Sequence, residues 1–462
     1  MECRIGIDAA EPRRSLAEPL AATLSGSRFR CWPWLGHLPA FQTDATGFLL
    51  AIFREQGDVA RFRLGRSKAM LLSHPDHVRT VLINRAADFG KGRLMQRARR
   101  LLGNGLLTSE GEAHRLQRRR IQPVFTKERL EGYTALASRL AAAQVGQWRT
   151  GRRVRVDAAM DGLTMKIVAR AMLGADLESD APALGRALRR VARWAPLLAA
   201  PGGRIMENIR LPIIGRLADA IETVEAAIDQ QIEVGSPDAG LIGALLHPAG
   251  APISRQLIRD EVMTLFLAGF DTTAAALTWA WLLLAHNPAA ESRLQAELAS
   301  VLDGREPEPS DLEALEYTGM VVKETLRLYP PIGRIGRRPL RDMDLDGVAL
   351  ARDTAVFLSP FVTQRDPRWY RDPEVFRPER WSEPAPDRPR YAWLPFGAGP
   401  RSCVGEHFAR MVLTLAVATI AQRWRLRPTK AGLPRPRSLL TLKPRGAVWM
   451  TAEATSSVTS AS

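Results

Sequence analysis

The sequence predicts a single large domain, mainly α with a minor β portion. Three observations carry this. Four amphipathic segments, at roughly 127–148, 157–173, 181–199 and 208–234, repeat apolar residues at helical spacing. Val262 to Ala285 is almost wholly apolar over a length that suits a helix and not a strand. Past Pro330 the texture changes to short strands and proline-rich turns as far as about Pro400. No internal repeat and no linker divides the chain.

In chain order, residues 1–30 carry scattered charges, among them Arg13, Arg14 and Arg28, and no continuous apolar stretch. They are expected to be disordered. The domain is expected over 31–451, and 452–462, rich in Ser, Thr and Ala, is expected to be a disordered tail. Trp32-Pro33-Trp34-Leu35-Gly36 opens the ordered part as a turn-prone stretch. Val59 to Leu64 and Ala69 to Leu72 flank Gly65-Arg66 as a hairpin. Helices dominate from Pro75. A last helix is expected over Val404 to Arg423, and a closing hairpin joins Leu439–Leu442 to Ala447–Thr451 across Pro444-Arg445-Gly446.

The chain has 462 residues and three cysteines, Cys3, Cys31 and Cys403, too few and too scattered for a disulfide framework. A reducing compartment, hence the cytoplasm, is expected. Net charge is +16, which attracts acidic proteins, anionic lipid or nucleic acid. The clusters Arg97, Arg99, Arg100 and Arg115, Arg118, Arg119, Arg120 carry no zinc-finger or RNA-reading pattern and no interleaved aromatics, so no nucleic-acid partner is expected. The apolar run at 262–285 reaches the roughly 20 residues of a membrane span. Asp271, Thr272 and Thr273 lie at its middle, however, where an acid is costly in lipid. With its approach from Gln256 it reads instead as a helix of about 30 residues, or roughly 45 Å, through the centre of a globular domain. No membrane anchor is expected.

The most informative stretch is Pro395-Phe396-Gly397-Ala398-Gly399-Pro400-Arg401-Ser402-Cys403-Val404-Gly405. Two glycines allow a tight turn at positive φ. Pro400 stiffens it, and Cys403 falls at the start of the last helix. There backbone N–H groups and the helix dipole favour a negative sulfur. Gly405 would let a flat group approach. A lone buried cysteine is ordinarily a small apolar filler, but these flanks argue otherwise. Phe396, Gly399, Arg401, Cys403 and Gly405 match the haem-binding loop of the cytochrome P450 family, and the resemblance extends from about Trp32 to Met450. It implies a cytochrome P450-type domain holding haem b (iron protoporphyrin IX), with Cys403 as the metal ligand. Thiolate ligation makes haem iron electron-rich and favours O–O cleavage.

Glu324-Thr325-Leu326-Arg327 places an acid and a base one turn apart. On an exposed face such a pair is worth little. In the family it is a buried network with an arginine from a segment resembled here by Pro373-Glu374-Val375-Phe376-Arg377-Pro378-Glu379-Arg380-Trp381. Glu324, Arg327 and Arg380 are therefore expected to be structural.

Ala268-Gly269-Phe270-Asp271-Thr272-Thr273 lies midway along the apolar helix. The Thr272 hydroxyl can compete for the Ala268 carbonyl four residues back, and Gly269 removes bulk where a diatomic molecule could sit. A helix cap or a buried polar pair is the plainer reading, but the apolar pattern continues on both sides. The motif is similar to the family's acid–alcohol pair, which implies Asp271 and Thr272 as catalytic residues for proton delivery. O–O cleavage that releases water needs two protons at one oxygen, whereas stray water would release peroxide.

Gly111-Glu112-Ala113-His114-Arg115-Leu116-Gln117-Arg118 resembles the family segment with an aromatic and an arginine on one helix face, with His where Trp is commoner. His114, Arg118, Arg337 and Arg401 are the resulting propionate candidates, with Arg334 and Arg338 competing for the place of Arg337. The pocket is expected from loop 92–107, from Phe266, Leu267 and Ala268, from Ile332, Gly333 and Ile335, and from Leu440 in 439–442. Most of these are apolar, so a lipophilic substrate is expected. Leu440-Thr441-Leu442-Lys443-Pro444 resembles fatty-acid-hydroxylating members; terpenoid and polyketide-like substrates stay open, as do hydroxylation and epoxidation.

The chain ends soon after the closing strands, with no flavin or nicotinamide domain in view. The expectation is a monooxygenase that uses O2 as co-substrate. Electrons would come ultimately from NAD(P)H through an acidic ferredoxin or flavodoxin and its reductase, docking near Arg115 and Arg119. A monomer is expected. A haem protein that only binds gas would lack the Asp271–Thr272 pair, a haem-thiolate isomerase or dehydratase would consume no O2, and a purely structural protein would need four motifs to be accidental.

Overall fold

The computed structural model describes residues 31–173, 182–199, 212–235, 240–247, 252–438 and 440–455. Residues 1–30 and 456–462, both expected to be disordered, lie outside the described residues, as does Leu439.

The N-terminal part runs α1 (Ala45–Gln56), β1 (Val59–Leu64), β2 (Ser67–Leu72), β3 (Phe89–Lys91), α2 (Arg93–Leu102) and α3 (Gly111–Ile121). The helical body follows with α4 (Lys127–Gly146), β4 (Arg153–Arg155), α5 (Val156–Leu173), α6 (Pro182–Ala199), α7 (Pro212–Val234) and α8 (Gly240–Leu246). Next come α9 (Arg255–Ala285), α10 (Pro288–Leu302) and α11 (Glu316–Leu328). The strands β5 (Ile335–Pro339), β6 (Met343–Leu345), β7 (Val348–Leu350) and β8 (Ala355–Leu358) then precede α12 (Glu406–Arg423). The chain closes with β9 (Trp424–Pro428), β10 (Pro436–Ser438), β11 (Leu442–Pro444) and β12 (Trp449–Ala454). The mainly α fold with a minor β portion is what the sequence predicts, and the four amphipathic segments are helices α4, α5, α6 and α7.

β1 and β2 form the expected hairpin, closing at Leu64 and Ser67 over Gly65-Arg66, with Gly65 at φ +63°. They belong to a five-stranded sheet of order β1-β2-β8-β5-β3. That sheet brings the chain-distant β3 and β5 together, with Lys91 directly opposite Arg337.

α9 begins at Ser254, whose side chain accepts from the Leu257 N–H. It is long and apolar enough to cross a membrane by length and composition. Its residues are instead packed inside the protein: Val262, Leu277, Trp279 and Leu283 have almost no exposure. A helix apolar on all sides needs neighbours on all sides, and here α5, α7, α11 and α12 supply them.

The end of the chain differs from expectation. β11 pairs with β10, not with the last strand. β12 pairs with β9 and β4. The Arg445 N–H bonds to Arg435 O, which ends the short hairpin, and the Val156 N–H bonds to Val448 O, which draws the following residues toward β4. The ordered chain also passes the expected limit at 451. Ala452 is buried, β12 runs to Ala454, and the Thr455 hydroxyl donates to Gln422 O.

Candidate active site

The cysteine loop is fixed from both ends. The Leu394 N–H donates to the Gln364 side chain, and the Cys403 N–H donates to Phe396 O at 2.9 Å. Gly397 and Gly399 both adopt φ +70°, the conformation the two glycines predict. At Gly399 a Cβ would lie 2.0 Å from Leu82 O, so the backbone there has no room for a side chain. α12 starts at Glu406, two residues later than expected, and Cys403 precedes it with Gly405 at the cap. The cysteine side chain is open to solvent yet closely surrounded by protein, as at the wall of a cleft. Burial pushes its thiol up, and the Gly405 N–H opposes this by bonding the sulfur. The flat group beside Gly405 is the Phe125 ring, 3.4 Å from where a Cβ would stand.

The Glu324 network is complete. Arg327 donates to both carboxylate oxygens at 2.8 and 2.9 Å, and Arg380 Nε to Oε1 at 2.8 Å. The Trp381 indole and the Arg377 N–H, both at 3.0 Å, complete the shell. Arg327 and Arg380 spend their remaining donors on carbonyls, including those of Gln364, Pro373, Asp372 and Val375. Glu324 and Arg327 are wholly buried. Burial alone would push the Glu324 carboxyl up, but the Arg327 and Arg380 charges outweigh it and hold it below the usual range. The network ties α11 to the segment leading into the cysteine loop.

Beside the loop the structure gathers cations. Arg118 of α3 donates to Ser402 O at 2.6 Å and to its hydroxyl at 3.2 Å. Arg401 reaches Ser109 O at 3.3 Å. Arg337 bonds the adjacent Gly336 carbonyl and feels the Arg401 charge; burial first, then Arg401, lowers its pKa to about 10. His114 is buried, and burial followed by the Lys91, Arg401, Arg118 and Arg337 charges lowers its pKa to about 4. It is therefore a neutral donor here and not the cation its sequence position suggests. Of the competing arginines, Arg338 pairs with Asp353 at 2.7 Å, and Arg334 contacts the Ser438 hydroxyl and lies over the Phe41 ring.

Sequence reasoning missed Lys91. Its ammonium donates to the Leu106 and Leu107 carbonyls, and burial, then Arg401, lowers its pKa to about 7. Nothing in Asp88-Phe89-Gly90-Lys91-Gly92-Arg93 marks this lysine as buried. Burial is the largest cause of the lowered pKa at Lys91, Arg337 and Arg401, and the Glu110 charge opposes it at all three. The group suits a dianionic ligand edge.

On α9, Leu267, Ala268, Gly269, Asp271 and Thr272 are half-buried within an otherwise buried stretch. The Thr272 hydroxyl donates to Ala268 O at 2.7 Å as expected, and Thr273 does the same to Gly269 O. A Cβ on Gly269 would press on Val168 of α5 at 3.3 Å, so this glycine lets two helices approach as well as thinning the helix. Among the described residues no group of three or more His, Cys, Asp and Glu could hold a metal. A metal at Cys403 must bring most of its own donors. A porphyrin with two propionates fits that single sulfur and the adjoining cations.

The cytochrome P450 family model matches residues 27–450. The chain is a cytochrome P450. Cyclooctatin synthase of Streptomyces melanosporofaciens is 37% identical over 422 residues, covering 89% of this chain and 92% of that protein. Cyclooctat-9-en-7-ol 5-monooxygenase of the same organism is 36% identical over 428 residues, covering 90% and 93%. Pentalenene oxygenase of Streptomyces avermitilis is 32% identical over 423 residues, covering 89% and 93%. This P450 is a haem-dependent monooxygenase that uses O2 and externally supplied electrons to oxidise a lipophilic molecule.

Within the P450, the expected pocket residues divide. Leu267 and Ala268 lie on the open face of α9. Phe266 does not: it shares the opposite face with Phe270, and the two rings pack 5.2 Å apart in the core. Gly333 is packed too, since a Cβ there would meet Thr46 at 2.8 Å. Ile332 is exposed, and Ile335 lies against Gly397 of the cysteine loop. Residues 93–102 of the supposed loop 92–107 are helix α2. The turn after it is clamped to α9, with the Asn104 and Leu106 N–H groups donating to Asp260 and Glu261. Leu440 borders a cavity of about 350 Å³ whose wall mixes apolar surface with the charged side chains of Asp157, Asp161, Asp271, Arg437 and Lys443.

Asp271 is not hydrogen-bonded to Thr272. It accepts from the Thr441 hydroxyl and from Lys443 Nζ at 2.7 Å, and Lys443 also bonds Asp161 at 2.9 Å.

Proposed function

We propose that this P450 hydroxylates or epoxidises a terpenoid-like molecule, with Cys403 as the thiolate ligand of haem b. The single observation that carries the site is Cys403 in its double-glycine turn, bonded by Gly405 N–H and braced by Arg118. The terpenoid class rests on the relatives named for cyclooctatin and pentalenene oxidation. Fatty-acid substrates, suggested by 440–444, are the less favoured class, because none of the three relatives reported above is named for one.

Arg118, Arg337 and Arg401 are the charges for the propionates, and His114 offers a neutral N–H. Lys91 holds the 106–107 turn against them. Phe396, Gly399 and Gly405 shape the loop. The haem, when bound, supplies the oxygen-activating chemistry. The chain positions the group, keeps water out with the apolar body of α9, and supplies protons through Thr272 and Asp271.

Electrons would pass from NAD(P)H through a reductase and an acidic ferredoxin or flavodoxin. Arg115 and Arg119, exposed on α3 on either side of Leu116, suit an acidic partner. We place the protein in the cytoplasm as a monomer.

The deciding experiment is the reduced, carbon monoxide-treated absorption spectrum of wild type and Cys403→Ala. A strongly red-shifted Soret band present in wild type and lost in the variant is expected. A histidine-type band in wild type would overturn the assignment. Substrate-induced spectral shifts with cyclic terpenes and terpene alcohols, against fatty acids, then decide the class.

A further inference from the structure

The face of α9 that carries Ala268 and Thr272 continues toward the start of the helix. At 3.6 residues per turn, Glu261, Thr264, Ala268 and Thr272 fall within one stripe roughly 80° wide. A rise of 1.5 Å per residue puts Thr264 roughly 6 Å from Ala268 and roughly 12 Å from Thr272. Ala268 and Thr272 are half-buried, whereas Glu261 and Thr264 are each 1% exposed.

Thr264 differs from the other threonines of its helix. Thr272, Thr273 and Thr278 each donate to the carbonyl four residues back, the usual resting place of a hydroxyl inside a helix. The Thr264 hydroxyl makes no hydrogen bond among the described residues. Glu261 repeats the pattern. Its Oε2 accepts from the Leu106 N–H at 2.8 Å, while its buried Oε1 meets no partner among the described residues. Leaving a buried polar atom unpaired is unfavourable, and here two such oxygens lie within one turn of one helix.

The turn at 103–109 closes this end of the stripe without answering either oxygen. The Asn104 N–H goes to Asp260, and the Leu106 and Leu107 carbonyls go to Lys91. Gly105 lies over Thr264: a Cβ there would come within 2.3 Å of the hydroxyl oxygen. The more open part of the stripe begins at Leu267 and Ala268. A ligand lying along the stripe from there would bring one end to the two oxygens.

Their chemistry selects that end. A carboxylate oxygen accepts, and a threonine hydroxyl can donate. A ligand hydroxyl does both, donating to Glu261 Oε1 and accepting from Thr264. A hydrocarbon would leave both oxygens unanswered. A carboxylate would face Glu261 and the adjacent Asp260. An amine is no better suited, because burial pushes the Glu261 carboxyl up to about 7 and the Lys91 charge already acts on it.

We propose that Glu261 and Thr264 recognise a hydroxyl already present on the substrate, so that this P450 oxidises a terpenoid alcohol and not its parent hydrocarbon. This inference rests on the terpenoid reading of the site. The existing hydroxyl lies at the Thr264 end, and the carbon to be oxidised lies toward Ala268 and Thr272, roughly 6–12 Å along the helix. A reaction that sets a hydroxyl on the skeleton must come first: a cyclisation ended by water, or an earlier oxygenation. Glu261 and Thr264 determine specificity and take no part in proton delivery.

The test uses full-length holoenzymes of wild type, Thr264→Val and Glu261→Gln, each first checked for the thiolate carbon monoxide spectrum. Two ligand sets are titrated by the substrate-induced Soret shift. One is cedrane, cedrol and cedryl methyl ether; the other is drimane, drimanol and its methyl ether. Wild type should bind the alcohol of at least one set about tenfold tighter than its hydrocarbon or ether, roughly the worth of one hydrogen bond. Thr264→Val keeps the shape and loses the donor, so the preference should shrink to about threefold or less, with hydrocarbon binding unchanged. Glu261→Gln keeps an acceptor for the Leu106 N–H but turns a donor toward the ligand, so alcohol and ether should bind alike. Ligand-free Thr264→Val should melt no lower than wild type, because it loses an unanswered hydroxyl. Equal wild-type affinity for alcohol and hydrocarbon in both sets would overturn the proposal. So would a preference that survives in both variants, and a lower melting point for Thr264→Val would then assign that hydroxyl to the fold. Wild type that has the thiolate spectrum but binds no member of either set would overturn the terpenoid reading instead. Wild type without that spectrum would overturn the haem assignment, so the failures are distinguishable.

Discussion

Arg118 reaches from α3 to the carbonyl of Ser402, 2.6 Å away, and so grips the residue immediately before Cys403. The same guanidinium donates to the Ser402 hydroxyl. One side chain thus connects the helix that carries His114 to the loop that carries the sulfur.

Arg118→Ala should therefore loosen the sulfur without unfolding the protein, because Arg118 is only half-buried. A hydrogen bond from a charged group is worth about 1.5–3 kcal/mol, so haem affinity should fall roughly ten- to a hundredfold. Part of the carbon monoxide band should shift to the position of haem without thiolate. Arg118→Lys keeps the charge but cannot span two oxygens, so it should fall between. Haem titration with the reduced spectrum measures both. Wild-type affinity and spectrum in Arg118→Ala would show that the contact is incidental.

Glu324→Ala should be far more damaging. It leaves Arg327 and Arg380 buried without their carboxylate, and breaking a buried pair in this way costs about 3–5 kcal/mol. The pH dependence follows from the lowered Glu324 pKa. The group contributes its full stability above the unfolded value, about 4.3. That contribution is lost as pH falls through the lower folded value. Urea denaturation of the holoenzyme at a series of acidic pH values should show this loss in wild type. A Glu324→Gln variant that is both less stable and flatter in this range would agree. A wild-type midpoint that does not change through the acidic range would contradict it.

The pattern of hits and misses in the sequence reading has a physical cause. The glycine turn before Cys403, the Glu324–Arg327 pair and the Thr272–Ala268 bond were legible because each is a local arrangement within one turn or one helix, where spacing fixes geometry. The helices α4 to α7 were legible from periodicity for the same reason. Lys91 was missed because its partner Arg337 faces it only across the β3–β5 pairing. Asp161 and Lys443 were missed because they meet Asp271 from two other elements. Phe266 was expected at the pocket with Leu267 and Ala268, but two residues along a helix places it nearly opposite Ala268. The closing hairpin was misread because β12 finds better partners in β9 and β4 than in its sequence neighbour.

His114 gives a second pH signature, of the haem-free protein. Its pKa is lowered from the model-peptide value of 6.5 to about 4 by burial and the surrounding cations. The unfolded chain therefore binds the proton first as pH falls. Stability should be unaffected above about 6.5 and should drop between that value and about 4. The upper limit of this loss is about 3 kcal/mol at 1.36 kcal/mol per unit. His114→Phe should remove the slope, measured by thermal melting of haem-free protein across that range. An equal slope in the variant would place its origin elsewhere.

Thr272 is expected to control where oxygen goes more than how fast it is consumed. Its hydroxyl proton is engaged with the Ala268 carbonyl at 2.7 Å, so donating it elsewhere means giving up that bond for another of similar strength. The exchange costs little, which suits a group that must hand over protons repeatedly. Thr272→Ala removes the donor. Oxygen and reduced nicotinamide should still be consumed, but product should fall about a hundredfold, within the range for loss of a positioned proton donor. The difference should appear as peroxide. Thr272→Ser keeps the hydroxyl and should keep most of the coupling. Product, oxygen and peroxide measured together in one turnover assay check this. If Thr272→Ala stays coupled, the hydroxyl serves only the Ala268 carbonyl, and the protons reach oxygen by a path that does not include it.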